Sequence, residues 1–157
     1  MGIPLNIGFL FHIAETIASL VVNVITLEKL IFQKVEYTDT IPKEYDYSDV
    51  TTHIEWIDVF SQTEDLYTAY FYSLTCGHCK EIKQEILSYY FSSNETIYFV
   101  QADENTVYGS SGELIGVSDI SNLFIYGTPF LIKLENHVIV EYYGGEKGIR
   151  EYINKNS

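Results

Sequence analysis

Cysteine is scarce: the chain has two, Cys76 and Cys79, and they sit in one four-residue window. A stapling disulfide cross-links distant segments, because closing a longer loop removes more unfolded-state entropy. A two-residue gap closes almost nothing, so this pair is placed for chemistry and not for scaffolding. Basic residues are also few, with 9 Lys and Arg against 22 Asp and Glu and a net charge of -13. Phosphate backbones are held through Lys and Arg, and no basic stripe exists here, which excludes nucleic acid as a partner. No glycine-rich phosphate loop, nucleophile elbow or Ser-His-Asp spacing is present. A tetrahedral zinc site built on the cysteines needs two further ligands, yet His12, His53, His78 and His137 form no second pair, so no metal is expected there.

What is present belongs to a globular chain. Hydrophobic residues make up 46% of the 157, enough to build a core for one domain plus an appendage. Tyrosine occurs 14 times, and its preference for half-buried pleated positions predicts a sheet. Residues 36–65 hold nine carboxylates against Lys43 alone, or -8 of the total, and read as an acidic linker and a solvated surface.

Residues 1–35 are expected to form an apolar N-terminal helix. The stretch 3–27 is long enough to cross a bilayer. His12 and Glu15 interrupt it, and an acid at the bilayer centre costs about 2.5–3.5 kcal/mol. No Lys or Arg precedes it, so a signal peptide's positive region is missing. An uncleaved anchor, a membrane-surface helix and a helix packed on the domain all fit. Residues 36–50, with Pro42 and no apolar period, read as the linker, and residues 51–157 as the domain.

Within the domain, Thr52 and Glu55 stand at capping-box spacing before a short helix carrying Ile54, Trp56, Ile57 and Phe60. Residues 66–74, aromatic and nearly uncharged, predict a buried central strand. Ile82, Ile86, Leu87, Tyr90 and Phe91 recur at helical spacing, placing a helix over 79–91. Residues 95–102 form a second strand, 106–118 a Gly- and Ser-rich loop, and 119–124 a short helix. Residues 130–134 and 138–143 flank a hairpin turn at 135–137. Gly144 and Gly145 open a last helix over 146–153. The expected fold class is α/β, a mixed central sheet flanked by helices, with parallel pairing across helices and an antiparallel closing hairpin.

Cys76-Gly77-His78-Cys79 lies between the aromatic strand and a helix start. Free N–H groups and the positive dipole end of that helix stabilise a thiolate, so Cys76 should ionise easily. Cys79, one turn in, should be buried and protonated, within reach of Cys76. Gly77 supplies a tight backbone. His78 can be cationic near neutral pH, and then favours the thiolate further. A stabilised thiolate makes the disulfide a stronger oxidant.

At these residues the chain resembles the thioredoxin superfamily, from about Thr51 to its end. Cys76 to Lys80 matches the active-site motif of protein disulfide isomerase domains. The resemblance implies a thioredoxin-like fold, attack by Cys76, resolution by Cys79, and a cis-proline facing them at Pro129. Thr128 would pair through its backbone with an extended substrate, and Pro129 would shield the sulfurs from metals. Gly144-Gly145 matches the glycine after the family's last strand. Two departures stand out: Thr75 replaces a usual Trp, and the strand before the motif has no buried acid, its place falling at Tyr70 or a neighbour.

The implied activity is thiol–disulfide exchange with protein thiols and disulfides, with no organic cofactor. The alternative is a thioredoxin-like adaptor of a transport or secretion system with little turnover. Lys29, Lys34 and Lys43 favour a cytoplasmic domain by the positive-inside rule. The resemblance to anchored family members favours a membrane-anchored, extracytoplasmic one, which is the reading carried forward.

Overall fold

A computed structural model describes residues 43–157. The expected helix and possible anchor within residues 1–35 lie outside the described residues. Among the described residues no helix is long and apolar enough to cross a membrane.

The uncharged aromatic run forms strand β1, Leu66–Tyr72, with every residue after Leu66 buried. Helix α1, Gly77–Ser92, carries the chain over to β2, Ile97–Gln101, which pairs parallel to β1. β3, Phe130–Glu135, runs antiparallel to β1 on its other side, and β4, Val138–Gly144, forms a hairpin with β3. The sheet order is β2-β1-β3-β4. Asn136 and His137 turn the hairpin with φ of 49° and 61°, the left-handed pair that matches strand twist. Helix α2, Gly145–Asn156, closes the chain.

Alternation along β1 sends side chains to two cores. Tyr70 and Tyr72 pack with Ile82, Ile86 and Leu87 of α1 and Ile149 and Tyr152 of α2. Tyr67, Ala69 and Phe71 pack with Trp56, Leu114, Leu123 and Ile125 on the other face. Helices α1 and α2 therefore cover one face, and the segment around Trp56 and the long loop cover the other. The expected short helix at 119–124 is only a 3-10 turn, Ile120–Asn122, started by the Asp119 side chain. The loop before it is anchored, with Leu114 fully buried and Gly109 N–H donating to the Ile125 carbonyl at 3.0 Å.

Two expectations need correction. The linker assigned to 36–50 is packed structure from Glu44 onward, where the compact unit Glu44–Ser157 begins. Tyr47 and Val50 are buried, Tyr47 stacks on Tyr72 at 3.9 Å, and Tyr45 exchanges two hydrogen bonds with the Gln84 side chain of α1. Burying these rings outweighs the solvation of their acidic neighbours, and Asp46 and Asp49 form a capping box on the 3-10 turn Tyr47–Asp49. The helix expected after Thr52 shrinks to a 3-10 turn, Trp56–Asp58, with no capping box. The Thr52 carbonyl instead accepts from Phe99 N–H at 2.9 Å, and the Thr52 hydroxyl donates to the Ile97 carbonyl at 2.6 Å, extending the sheet edge beside β2.

Candidate active site

β1 ends at Tyr72, and a short turn delivers Cys76 to the start of α1, where Cys76 N–H donates to the Ser73 carbonyl at 3.2 Å. Cys76 is the N-cap, with extended backbone, and its sulfur accepts from the Cys79 N–H at 3.3 Å. A sulfur thus fills the place where a Ser, Thr or Asp oxygen commonly satisfies a free helix donor. Across the site, the protonated Cys76 thiol donates to the Thr128 carbonyl at 3.1 Å, and the Thr128–Pro129 peptide is cis. Pro129 in turn accepts from Gly145 N–H at 2.9 Å, which ties this loop to the start of α2. Gly145 takes φ of +66°, a left-handed turn that suits glycine between β4 and α2.

The two thiols have opposite environments. At Cys76, partial burial opposes ionisation, but the Thr128 hydroxyl, the Cys79 thiol and the Cys79 and His78 amides outweigh it, and the pKa falls below that of an ordinary thiol. Cys79 is almost wholly buried, and burial pushes its thiol up to about 11. Both thiols are free. One sulfur ionises more readily than an ordinary thiol, and the other is held protonated beside it.

Gly77 plays a different part from the one expected. Its φ is not left-handed, and an added Cβ would meet nothing within 4 Å. The glycine leaves open space beside Cys76 and is not demanded by the backbone. His78 is exposed, and its Nδ1 lies 2.5 Å from the Glu146 carboxylate at the first turn of α2. That hydrogen bond, followed by the Coulombic attraction, raises the imidazole pKa. His78 is therefore more fully cationic than a free imidazole at neutral pH, while much of its charge is answered by Glu146 and not by sulfur.

Sequence reasoning missed two neighbours of the site. Glu146 stands 68 residues from His78, and only helix packing joins them. Tyr47, assigned to the linker, lies against Cys79: its hydroxyl donates to the Cys79 carbonyl at 3.4 Å and lies 3.4 Å from the Tyr70 hydroxyl. The Asp46–Asp49 capping spacing was the one signal that this segment is ordered. Burial raises both phenols well above their usual range, so they stay protonated. Among the described residues no carboxylate hydrogen-bonds either cysteine.

A parallel β1–α1–β2 crossover, an antiparallel β3–β4 hairpin on the far side of β1 and a closing helix, with the cysteine pair at the β1–α1 junction, define the architecture. This order and pairing make a thioredoxin-like fold. No family model matches the chain, and no curated protein matches it. Among solved structures it is similar to Chlamydomonas reinhardtii thioredoxin f2, at 20% identity over 66% of this chain and 93% of that one, TM-score 0.46. The reduced Schistosoma mansoni thioredoxin pre-protein matches at 17% identity over 67% and 96%, TM-score 0.44. Spinach chloroplast thioredoxin f, short form, matches at 16% over 68% and 95%, TM-score 0.43. In this chain the site lies where α1 leaves the sheet, beside the loop that enters β3.

Proposed function

We propose that the chain exchanges disulfides with protein substrates through Cys76 and Cys79. The observation that carries the reading is the Cys76 sulfur at the mouth of α1, 3.3 Å from the Cys79 amide, with its pKa lowered. The Cys76 thiolate attacks a substrate disulfide, forms a mixed disulfide and expels one substrate thiolate, which takes up a proton. Cys79 then loses its proton and attacks the Cys76 sulfur. The second substrate thiolate leaves, the substrate has gained two electrons, and a Cys76–Cys79 disulfide remains. Run backward, the same steps oxidise a dithiol. An extended substrate docked along Thr128 would lie beside the sulfur, because the Thr128 carbonyl is 3.1 Å from it.

The test is trapping. Cys79→Ala in the full chain should accumulate mixed disulfides at Cys76, identified by mass spectrometry, and Cys76→Ser should accumulate none. The same substrates locate the domain: the proposal places it outside the cytoplasm, so extracytoplasmic proteins are expected. One observation favours the adaptor reading: among the described residues no carboxylate hydrogen-bonds Cys79 to accept its proton. Equal reduction of insulin by the wild type and Cys76→Ser would select the adaptor.

A further inference from the structure

We propose that His78, Glu81 and Glu146 form a binding site for a first-row divalent cation, Zn2+ above all, beside the cysteine pair but using neither sulfur. One ligand atom from each residue lies within 4.8 Å of the other two. A tetrahedral zinc ion with ligand distances of about 2.0–2.2 Å requires donors about 3.3–3.6 Å apart. The His78–Glu146 contact of 2.5 Å must therefore open by about 1 Å, and any separation from the Glu81 carboxylate, at most 4.8 Å, must close by no more than about 1.5 Å. Side-chain rotation supplies both movements.

The fold assembles this set in a way the sequence does not display. His78 and Glu81 are three residues apart, so they share one face of the first turns of α1. Glu146 comes from the first turn of α2, and the two helices are locked together by Ile82, Ile86, Ile149 and Tyr152 in one core. One turn further along, Arg150 grips Glu85 of α1 through two nitrogens at 2.9–3.1 Å and reaches the second Glu146 oxygen at 3.4 Å. That second contact orients Glu146 while leaving its other oxygen toward His78.

The donor set selects the ion. An imidazole with two carboxylates suits zinc and its neighbours, whereas Mg2+ prefers an all-oxygen shell and keeps its waters. With the imidazole neutral, the three residues carry two negative charges in a chain of net charge -13. His78 is exposed, so a fourth position is open to water or to a donor group of a docked protein.

The test is isothermal titration of Zn2+ into the full chain carrying both Cys76→Ser and Cys79→Ser, which removes thiolate ligation and makes the result independent of the exchange reaction. One saturating site is expected, unaffected by excess Mg2+. His78→Ala, Glu81→Gln and Glu146→Gln should each weaken it tenfold or more, with circular dichroism unchanged. Glu104→Gln, an acid outside the cluster, should leave it intact. Replacing Zn2+ with Co2+ should give a visible absorption band that His78→Ala abolishes. Absence of saturable binding, or binding that the three substitutions leave unchanged, would overturn the proposal.

Discussion

In the proposed exchange Cys79 must ionise before it can resolve a mixed disulfide, and its surroundings resist that step. Burial is the main cause of its pKa near 11, and no carboxylate among its described hydrogen-bond partners can take the proton. At pH 7 a thiol of that pKa is thiolate to about one part in ten thousand, against about three in a hundred for an ordinary cysteine at 8.5, a deficit of roughly 300-fold. A more basic thiolate is intrinsically a better nucleophile, and a Brønsted slope of about 0.4–0.5 returns roughly 13-fold of this. The net expectation is resolution about 20-fold slower than by an unperturbed thiol, with a rate that climbs nearly tenfold per pH unit between pH 6 and 10. The assay is single-turnover: load Cys76 with a chromophoric aromatic thiol as a mixed disulfide, then follow its release by stopped-flow absorbance across pH. Tyr70→Phe should keep the slope, because that phenol is protonated throughout this range. A rate flat between pH 6 and 9, or a slope lost in Tyr70→Phe, would refute the reasoning and show that another group takes the proton.

Glu146→Gln should lower the His78 titration midpoint toward the ordinary imidazole value of about 6.5, followed by NMR of the ring protons. The sign follows from the pair: His78 is raised and Glu146 depressed, so their attraction stabilises the fold between the two pKa values. It fades above the raised His78 value and below the depressed Glu146 value. Ile82→Ala, at a fully buried position between α1 and β1, should cost about 2–5 kcal/mol in urea unfolding. Tyr152→Phe leaves the buried Thr68 hydroxyl without its 2.9 Å partner and removes one hydrogen bond to Glu95, and should cost about 1–3 kcal/mol by the same measurement.

The elements with strict periodicity were legible before any coordinates. β1 was legible by composition: a short uncharged run rich in aromatic residues suits a buried strand, and Tyr70 and Phe71 face opposite cores. Ile82, Ile86 and Leu87 marked the buried side of α1 through their spacing, and Asn136 with His137 marked the hairpin. Residues 44–50 were misread because acidic composition speaks for solvent while three interspersed apolar side chains, Tyr45, Tyr47 and Val50, obey no period. Their burial is decided by what α1 and β1 present to them. The same limit applies to the second core, where Leu114 and Leu123 are fixed by loop hydrogen bonds and not by a repeating pattern. At the site, the cysteine pair and the helix start were readable locally. Glu146 and Tyr47 were not, because their roles come from contacts of 68 and 32 residues' separation.

The account stands most directly on how easily Cys76 ionises. Thiolate absorbance of Cys79→Ala across pH isolates that one sulfur. The account predicts half-ionisation below the value of an unperturbed thiol in a short peptide titrated alongside, since the His78 amide and the Thr128 hydroxyl still bond the anion. A midpoint at or above that value would contradict it.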